Sequence, residues 1–421
     1  MIIPTRRTHP VITILRIATQ SIILLFAGLL ALWAILAQLL AIIPSQWLVP
    51  VLRFGSAQTV ILTISIIRDG MGVYGVIYTF VPLVLLLLLL WWFRRKPRWL
   101  KVLVTLCAAA FVVSLITYIS LVVTVAREGG GVHAFAPATM QMQQWGKPDQ
   151  TLTFGKPEGT PLKADLYMPS KASASATPDG KIPVVVRVHG GGFTSGDKAP
   201  TPYNRFLADH GYAVLDVQYR LANPQQHTWQ TEVGDVGCAL TWLNTKGADN
   251  YPLDLSRVGI FGDSAGGNLA INAAYMSNNS TLQPTCGSSS ELPHIKAVTA
   301  LYPVVNMVVA QQQSAIGYTV GQSYIGGTPA QYPERYEFTA PMTHVSKQAP
   351  PTLIIQGGRD HLVLPRPVQE FATQIAEKGI VTRYIELPFL DHQAGDGLST
   401  ITVGTLAQQQ FLLSWMDQYV K

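Results

Sequence analysis

Gly262-Asp263-Ser264-Ala265-Gly266-Gly267 stands between two stretches of opposite character. Arg257-Val258-Gly259-Ile260-Phe261 before it is a short apolar run that reads as a buried strand, and Asn268-Leu269-Ala270-Ile271-Asn272-Ala273-Ala274-Tyr275 after it reads as a helix. Strand, G-x-S-x-G and helix in that order predict a nucleophile elbow. The serine sits on a turn so tight that small residues must flank it, and its hydroxyl projects above the sheet edge. The pentapeptide alone is compatible with an ordinary glycine-rich turn, so the reading depends on its surroundings.

Those surroundings alternate. Residues 152–154 and 164–168 read as opening strands, 184–188 and 213–219 as continuous apolar strands, and 298–301, 353–356 and 382–387 as later ones. Amphipathic stretches at 203–209, 233–244, 367–378 and 406–419 read as helices between and after them. Residues 170–180 form an Ala/Ser/Pro/Gly-rich loop. Strands alternating with helices predict a mostly parallel sheet covered on both faces.

His189-Gly190-Gly191-Gly192-Phe193 follows the 184–188 strand directly. Glycines there let backbone N–H groups approach a reacting carbonyl that side chains would obstruct. By its match to the HGGG-type loop, Gly191 and Gly192 are expected to donate to an oxyanion, with Ala265 after the serine as third donor. His189 sits behind such a loop and reads as structural. HGGGF, then Asp216-Val217-Gln218-Tyr219-Arg220-Leu221-Ala222, then GDSAGGNLA resemble the hormone-sensitive-lipase-like branch of the α/β-hydrolases and the related feruloyl-esterase-like (BD-FAE-type) carboxylesterases. The resemblance covers roughly residues 146–421. It implies an α/β-hydrolase fold with an eight-stranded core, serine-esterase chemistry, and neither metal nor organic cofactor.

In that fold the catalytic acid and histidine follow the serine in chain order. Asp360 comes after Pro351-Thr352-Leu353-Ile354-Ile355-Gln356-Gly357-Gly358-Arg359, on a loop ending a strand, and resembles the family's acid position. His392 follows the last strand and is the expected base. Of the nine histidines, His361 beside the acid is dismissed. Asp391 is the rival acid, disfavoured because a neighbour in sequence rarely aims its carboxylate at the adjacent ring. Tyr219 and Arg220 read as structural support. Residues 305–346, an aromatic-bearing excursion with Tyr318, Tyr324 and Phe338, are placed as one wall of a pocket.

The first third of the chain is different. Up to Glu128 there are eleven Lys and Arg against two Asp and Glu, a net charge of +9; the rest carries −3, within a whole-chain +6 over 421 residues. Mean hydropathy is +0.25. Three apolar stretches, 17–43, 76–93 and 102–126, are each near the length needed to cross a bilayer. The first is 27 residues without a charge, too long for the core of a cleaved signal peptide. Arg6, Arg7 and the cluster 94–101 flank these spans, and basic residues beside apolar segments point to a membrane boundary rather than nucleic acid. Both clusters on the cytoplasmic side would place the remainder outside. Residues 51–67, apolar but carrying Arg53 and Gly55, read as interfacial or packed against the spans; a fourth crossing there would reverse the orientation. The expected division is a transmembrane region over 1–128, a linker over 129–145, and an α/β-hydrolase domain over 146–421.

Cys107 lies in an apolar run. Cys238 and Cys286 can pair in an oxidising compartment, but two separate buried thiols is the preferred reading. The leading functional expectation is a membrane-anchored serine carboxylic-ester hydrolase acting on a small-molecule, lipid or acylated-carbohydrate ester, without a nucleic-acid partner. Acyl transfer to another acceptor, carbohydrate deacetylation and a non-catalytic binding module remain alternatives. A transporter is disfavoured, because the spans hold almost no interior ionisable residues.

Overall fold

The computed structural model describes residues 10–93, 97–131, 145–170, 180–287, 291–393 and 402–421. Arg6 and Arg7, residues 94–96 of the second basic cluster, and most of both the expected linker and the 170–180 loop lie outside them.

Eight strands form one sheet in the order β1-β2-β4-β3-β5-β6-β7-β8. They are β1 (Gln150–Gly155), β2 (Leu162–Tyr167), β3 (Ile182–Val188), β4 (Ala213–Val217), β5 (Leu253–Asp263), β6 (Ile295–Leu301), β7 (Thr352–Gly357) and β8 (Thr382–Leu387). The first two pairings are antiparallel and the rest parallel. Strand β3 shows why its run is apolar but for Arg187. Val184, Val186 and Val188 enter the core on one face of the sheet, whereas Val185 enters the core on the other, as a period of two requires.

Helices cover both faces. One core gathers residues of α7 (Thr231–Trp242), α8 (Ala265–Asn278) and α12 (Pro365–Glu377). The opposite core gathers residues of α6 (Asn204–Asp209) and α13 (Val403–Tyr419). Between β6 and β7 lie α9 (Met307–Gln313), α10 (Ala315–Tyr324) and α11 (Pro333–Thr339). Cys238 on α7 is joined to Cys286 by a disulfide, which corrects the expectation of separate thiols. The two residues lie 48 apart in sequence, on a helix and on the chain following the next helix, and only the folded sheet brings them together.

Three N-terminal helices are long and apolar enough to cross a membrane: α1 (Pro10–Ile42), α4 (Tyr74–Trp92) and α5 (Arg98–Arg127), the first counted from Ile14. They fall on the three expected stretches, with α5 beginning four residues earlier, at Arg98. The Arg16 guanidinium of α1 lies against Trp92 at the end of α4, so these two helices run antiparallel.

The α/β domain packs at the other end. Leu121 and Val125 of α5 belong to the same core as Phe411 and Leu412 of α13. Just beyond the helix, Arg383 on β8 donates to the Glu128 backbone and pairs with its carboxylate, and Gly131 N–H donates to Gln410 Oε1 at 2.6 Å. The start of the stretch expected as a linker is therefore held against α13, directly after a contact of Glu128 with β8.

Residues 51–67 run from the end of one turn, α2 (Val49–Leu52), through Arg53 and Phe54 into a 16-residue helix, α3 (Gly55–Gly70). At 1.5 Å per residue α3 is about 24 Å long, short of the roughly 30 Å hydrocarbon layer. It packs against α1, as expected, but also against α10 of the α/β domain. Gln58, Ile61, Leu62, Ser65 and Asp69 are buried while Thr59, Val60 and Thr63 are exposed, so the helix has an inner and an outer face.

Candidate active site

Strand β5 ends at Asp263 and α8 starts at Ala265, leaving Ser264 alone on the turn with φ 55° and ψ −119°. A non-glycine residue with positive φ costs on the order of 1–3 kcal/mol and persists only where its surroundings enforce it. Here they do: Ser264 N–H donates to Leu301 O of β6 at 2.8 Å. A Cβ on Gly262 would lie 2.2 Å from Gly266 O, and one on Gly266 would lie 2.2 Å from Val188 O. Strand and helix cross too closely for any side chain at either position.

The loop after β8 brings His392 to the serine. Its Nε2 is 3.0 Å from Ser264 Oγ, and its Nδ1 is 2.8 Å from Asp360 Oδ2. A carboxylate only accepts, so Nδ1 carries the proton and Nε2 is free to accept one from Oγ. The remaining capacity of Asp360 is filled. Its Oδ1 accepts from the N–H groups of Leu362 and Val363 at 2.8 and 2.7 Å, and Gln356 Nε2 donates to Oδ2 at 3.0 Å. Burial disfavours the His392 imidazolium, but the Asp360 charge and hydrogen bond outweigh it, holding its pKa above the ordinary 6.5.

A second buried pair sits beside the first. His361 Nδ1 contacts Asp391 Oδ2, and Asp391 Oδ1 accepts from the His361 and His392 N–H groups at 2.8 and 2.7 Å. Asp391 thus faces the histidine expected to be irrelevant, while the same carboxylate holds the backbone N–H of His392. That loop has positive φ at Phe389 and Gln393, one on each side of the histidine. It is pinned from α3: Asp391 N–H donates to Asp69 Oδ2 at 2.6 Å, and Arg68 donates to Phe389 O at 2.8 Å.

The glycine loop lies across from the histidine. Gly191 and Gly192 have φ of 124° and 60° and line one cavity with Ser264 and His392. Ala265 is the first residue of α8, where backbone N–H groups have no intrahelical partner. Arg187, buried near the C-terminal end of β3, ties this region together by donating to Asp216 Oδ1 at 3.0 Å and Asp263 Oδ1 at 2.9 Å. Asp263 Oδ2 in turn accepts from Gly190 N–H at 3.1 Å, joining elbow and glycine loop. His189 stacks on Tyr219, whose hydroxyl donates to His189 O at 2.8 Å. Burial holds the His189 pKa down at about 4, so it stays neutral, behind the loop. Arg220 is bound by the Asp235 carboxylate.

The cavity has a volume of about 370 Å³. The 305–346 excursion supplies part of its wall through Met307, Ala310, Ile316 and Val320. The aromatic residues singled out there do something else: Tyr324 stacks on Phe193, Phe338 packs edge-on to Trp229, and Tyr318 is exposed. Another part of the wall is Leu62 and Ile66 of α3, which sequence reasoning did not assign to the site. Arg187, Asp263 and Gln356 were also missed. Asp263 lies inside the elbow motif, which is the one available signal; nothing in a β-strand pattern marks a buried arginine or glutamine as part of a site. Among the described residues no cluster of His, Cys, Asp and Glu could hold a metal ion.

The BD-FAE family profile matches residues 164–375. Esterase LipQ of Mycobacterium tuberculosis is 26% identical over 235 residues, 55% of this chain and 54% of the relative. The probable carboxylic ester hydrolase LipM of the same organism is 28% identical over 242 residues, 55% and 54% respectively. The chain therefore spans about half the length of these curated relatives. Among solved structures, a hyperthermophilic esterase from the archaeon Pyrobaculum calidifontis superposes with a TM-score of 0.53 at 23% identity, over 67% of this chain and 87% of that one. A bacterial heroin esterase gives 0.52 at 20%, over 65% and 84%. At these identities the structural likeness establishes the fold.

Proposed function

Starting from a chain that belongs to the BD-FAE family, we propose that it is a membrane-anchored serine carboxylic-ester hydrolase with Ser264 as nucleophile, His392 as base and Asp360 as acid. The observation that carries this reading is the run of contacts Ser264 Oγ–His392 Nε2–His392 Nδ1–Asp360 Oδ2, at 3.0 and 2.8 Å, opening onto the 370 Å³ cavity.

A serine hydroxyl at its ordinary pKa is a weak nucleophile. His392 Nε2 takes its proton as Oγ bonds to the ester carbonyl carbon, and Asp360 stabilises the imidazolium. The carbonyl oxygen becomes an anion received by the N–H groups of Gly191, Gly192 and Ala265, each worth about 2.7–4 kcal/mol in this role. His392 then gives its proton to the leaving alkoxide as the C–O bond breaks, leaving an acyl-serine. Water, deprotonated by the same histidine, releases the acid and restores the hydroxyl.

The α/β domain faces an oxidising compartment in this reading. The Cys238–Cys286 disulfide supports it, since such bonds persist outside the cytosol. So does the position of the α/β domain at the end of the helices opposite Arg16, Arg98 and Lys101, since basic residues favour the cytoplasmic side. The test is hydrolysis of aryl acetates by the detergent-solubilised protein and by Ser264→Ala. Loss of turnover in the variant, with an unchanged melting profile, is expected. Undiminished turnover would overturn the assignment of the nucleophile.

A further inference from the structure

The membrane-side helix α3 carries two of the side chains that line the catalytic cavity, and this constrains what the cavity accepts. Leu62 and Ile66 are four residues apart, one turn on the same side of the helix. They are held between two fixed points. One turn before Leu62, the buried Gln58 accepts from Ile316 N–H at 2.9 Å and donates to His361 O at 3.2 Å. Its amide thus spans from the 305–346 excursion to the loop carrying Asp360. Just after Ile66, Arg68 and Asp69 bind Phe389 O and Asp391 N–H on the loop carrying His392. A helix so anchored at both ends is a fixed wall of the site.

That wall is apolar, whereas the polar lining, Thr194, Ser195, Asp263 and Gln393, comes from the glycine loop, the elbow and the His392 loop. Leu62 and Ile66 face a cavity to which Val304, Met307, Ile316 and Val320 also contribute. Its volume of about 370 Å³ lies in the roughly 300–1,000 Å³ range of sites that enclose a drug-sized molecule, far more than an acetyl group fills. Sugar hydroxyls placed against these side chains would lose their hydrogen bonds to water without replacement. The outer face of the same helix carries Val60 beside Thr59 and Thr63, whose hydroxyls donate to the Gly55 and Thr59 carbonyls; Trp47 and Phe54 are exposed just before the helix, and the exposed surfaces of its chain neighbours α1 and α4 include Leu25, Leu29, Ile77 and Phe80. A single helix, about 10 Å thick, separates the cavity from that surface.

We propose that the substrate is an ester of a membrane-resident amphiphile, bound with an aliphatic chain laid against Leu62 and Ile66. The proposal rests on the serine-esterase reading and adds to it the substrate class and two specificity-determining residues. Leu62 and Ile66 act on chain length by shape, without touching the reacting atoms.

The full-length protein in detergent is assayed on two series: aryl esters from acetate to laurate, and acetates of alkanols of matching length. Acetylated xylan serves as the carbohydrate probe. In the wild type kcat/KM rises with chain length in at least one series and exceeds that on acetylated xylan. Leu62→Trp and Ile66→Trp each lower the long-to-short ratio of kcat/KM by at least tenfold in that series, whereas Val60→Trp, on the outer face, leaves the ratio as it was. If a tryptophan variant does not fold, Leu62→Ala and Ile66→Ala provide the mirror test, moving the optimum to longer chains. A flat or falling chain-length profile in both series, a preference for acetylated xylan, or ratios unmoved by every inner-face variant overturns the proposal. Those outcomes leave the esterase reading standing so long as hydrolysis depends on Ser264; hydrolysis that survives Ser264→Ala overturns that reading itself.

Discussion

Replacing Asp360 by asparagine exchanges one carboxylate oxygen for an NH₂ group, and the structure dictates which one. Oδ1 accepts from the fixed backbone N–H groups of Leu362 and Val363, so the amide oxygen must stay there. The new NH₂ then points at His392 Nδ1, where Oδ2 stood. Two donors cannot face each other, so the ring takes the tautomer with its proton on Nε2, the atom 3.0 Å from Ser264 Oγ. That nitrogen can no longer accept the serine proton. Gln356 Nε2 donates to Val363 O as well as to Oδ2, both at 3.0 Å, so the variant keeps the Val363 contact and loses one hydrogen bond, about 1 kcal/mol. The fold should therefore survive while kcat falls by about 10⁴, equivalent to about 5.5 kcal/mol of barrier. The comparison is Asp391→Asn. Its carboxylate faces His361, which does not touch the serine, so the expected loss is stability, on the order of 1–3 kcal/mol, with kcat reduced less than tenfold. Burst-phase and steady-state kinetics on an aryl ester, with near-UV circular dichroism for both variants, make the measurement. If both variants fold and Asp391→Asn is the more crippled, the assignment of the acid is wrong.

Because Asp360 holds the His392 pKa above 6.5, the acid limb of kcat/KM should lie above 6.5, and Asp360→Asn should move any residual limb downward. The linked stability runs the other way: a raised pKa favours the protonated folded form, so that contribution is full below 6.5 and fades as pH rises through the folded value. An acid limb below 6 would contradict the His392–Asp360 contact as the controlling interaction. Reducing the Cys238–Cys286 disulfide, or Cys238→Ser, should cost about 2–4 kcal/mol and lower the melting temperature by about 5–15 °C; an unchanged melting curve under reductant would show that the bond adds nothing. Alkaline phosphatase fused after residue 135 should be active, since it matures only when exported; a stable, inactive fusion would mean that the α/β domain faces the cytoplasm.

The central strands were legible because β3, β4 and β7 bury both faces, and a run such as 184–188 has no other soluble fate. The elbow was legible because its glycines are steric necessities that leave their mark in sequence. Helix α3 was not. Its residues are half polar because their partners are polar groups far along the chain: Gln58 bonds a carbonyl 303 residues away, and Asp69 an amide 322 residues away. A local window sees only a broken apolar stretch. The same holds for His361, dismissed as a neighbour of Asp360 yet paired with Asp391 across 30 residues. The disulfide was read against for a related reason, since cysteine spacing alone says nothing of distance in the fold.

Helix α5 has 30 residues, about 45 Å of rigid rod, and a bilayer's hydrocarbon occupies about 30 Å. Its far end is cemented into the second core by Leu121 and Val125. If α5 crosses the membrane, as in the proposed reading, the α/β domain stands on a mast rather than swinging on a tether, at a height and tilt set by membrane thickness. Thickening or thinning the bilayer would shift the catalytic cleft relative to the lipid surface and load the sheet mechanically, making lipid composition a physical input to the position of Ser264.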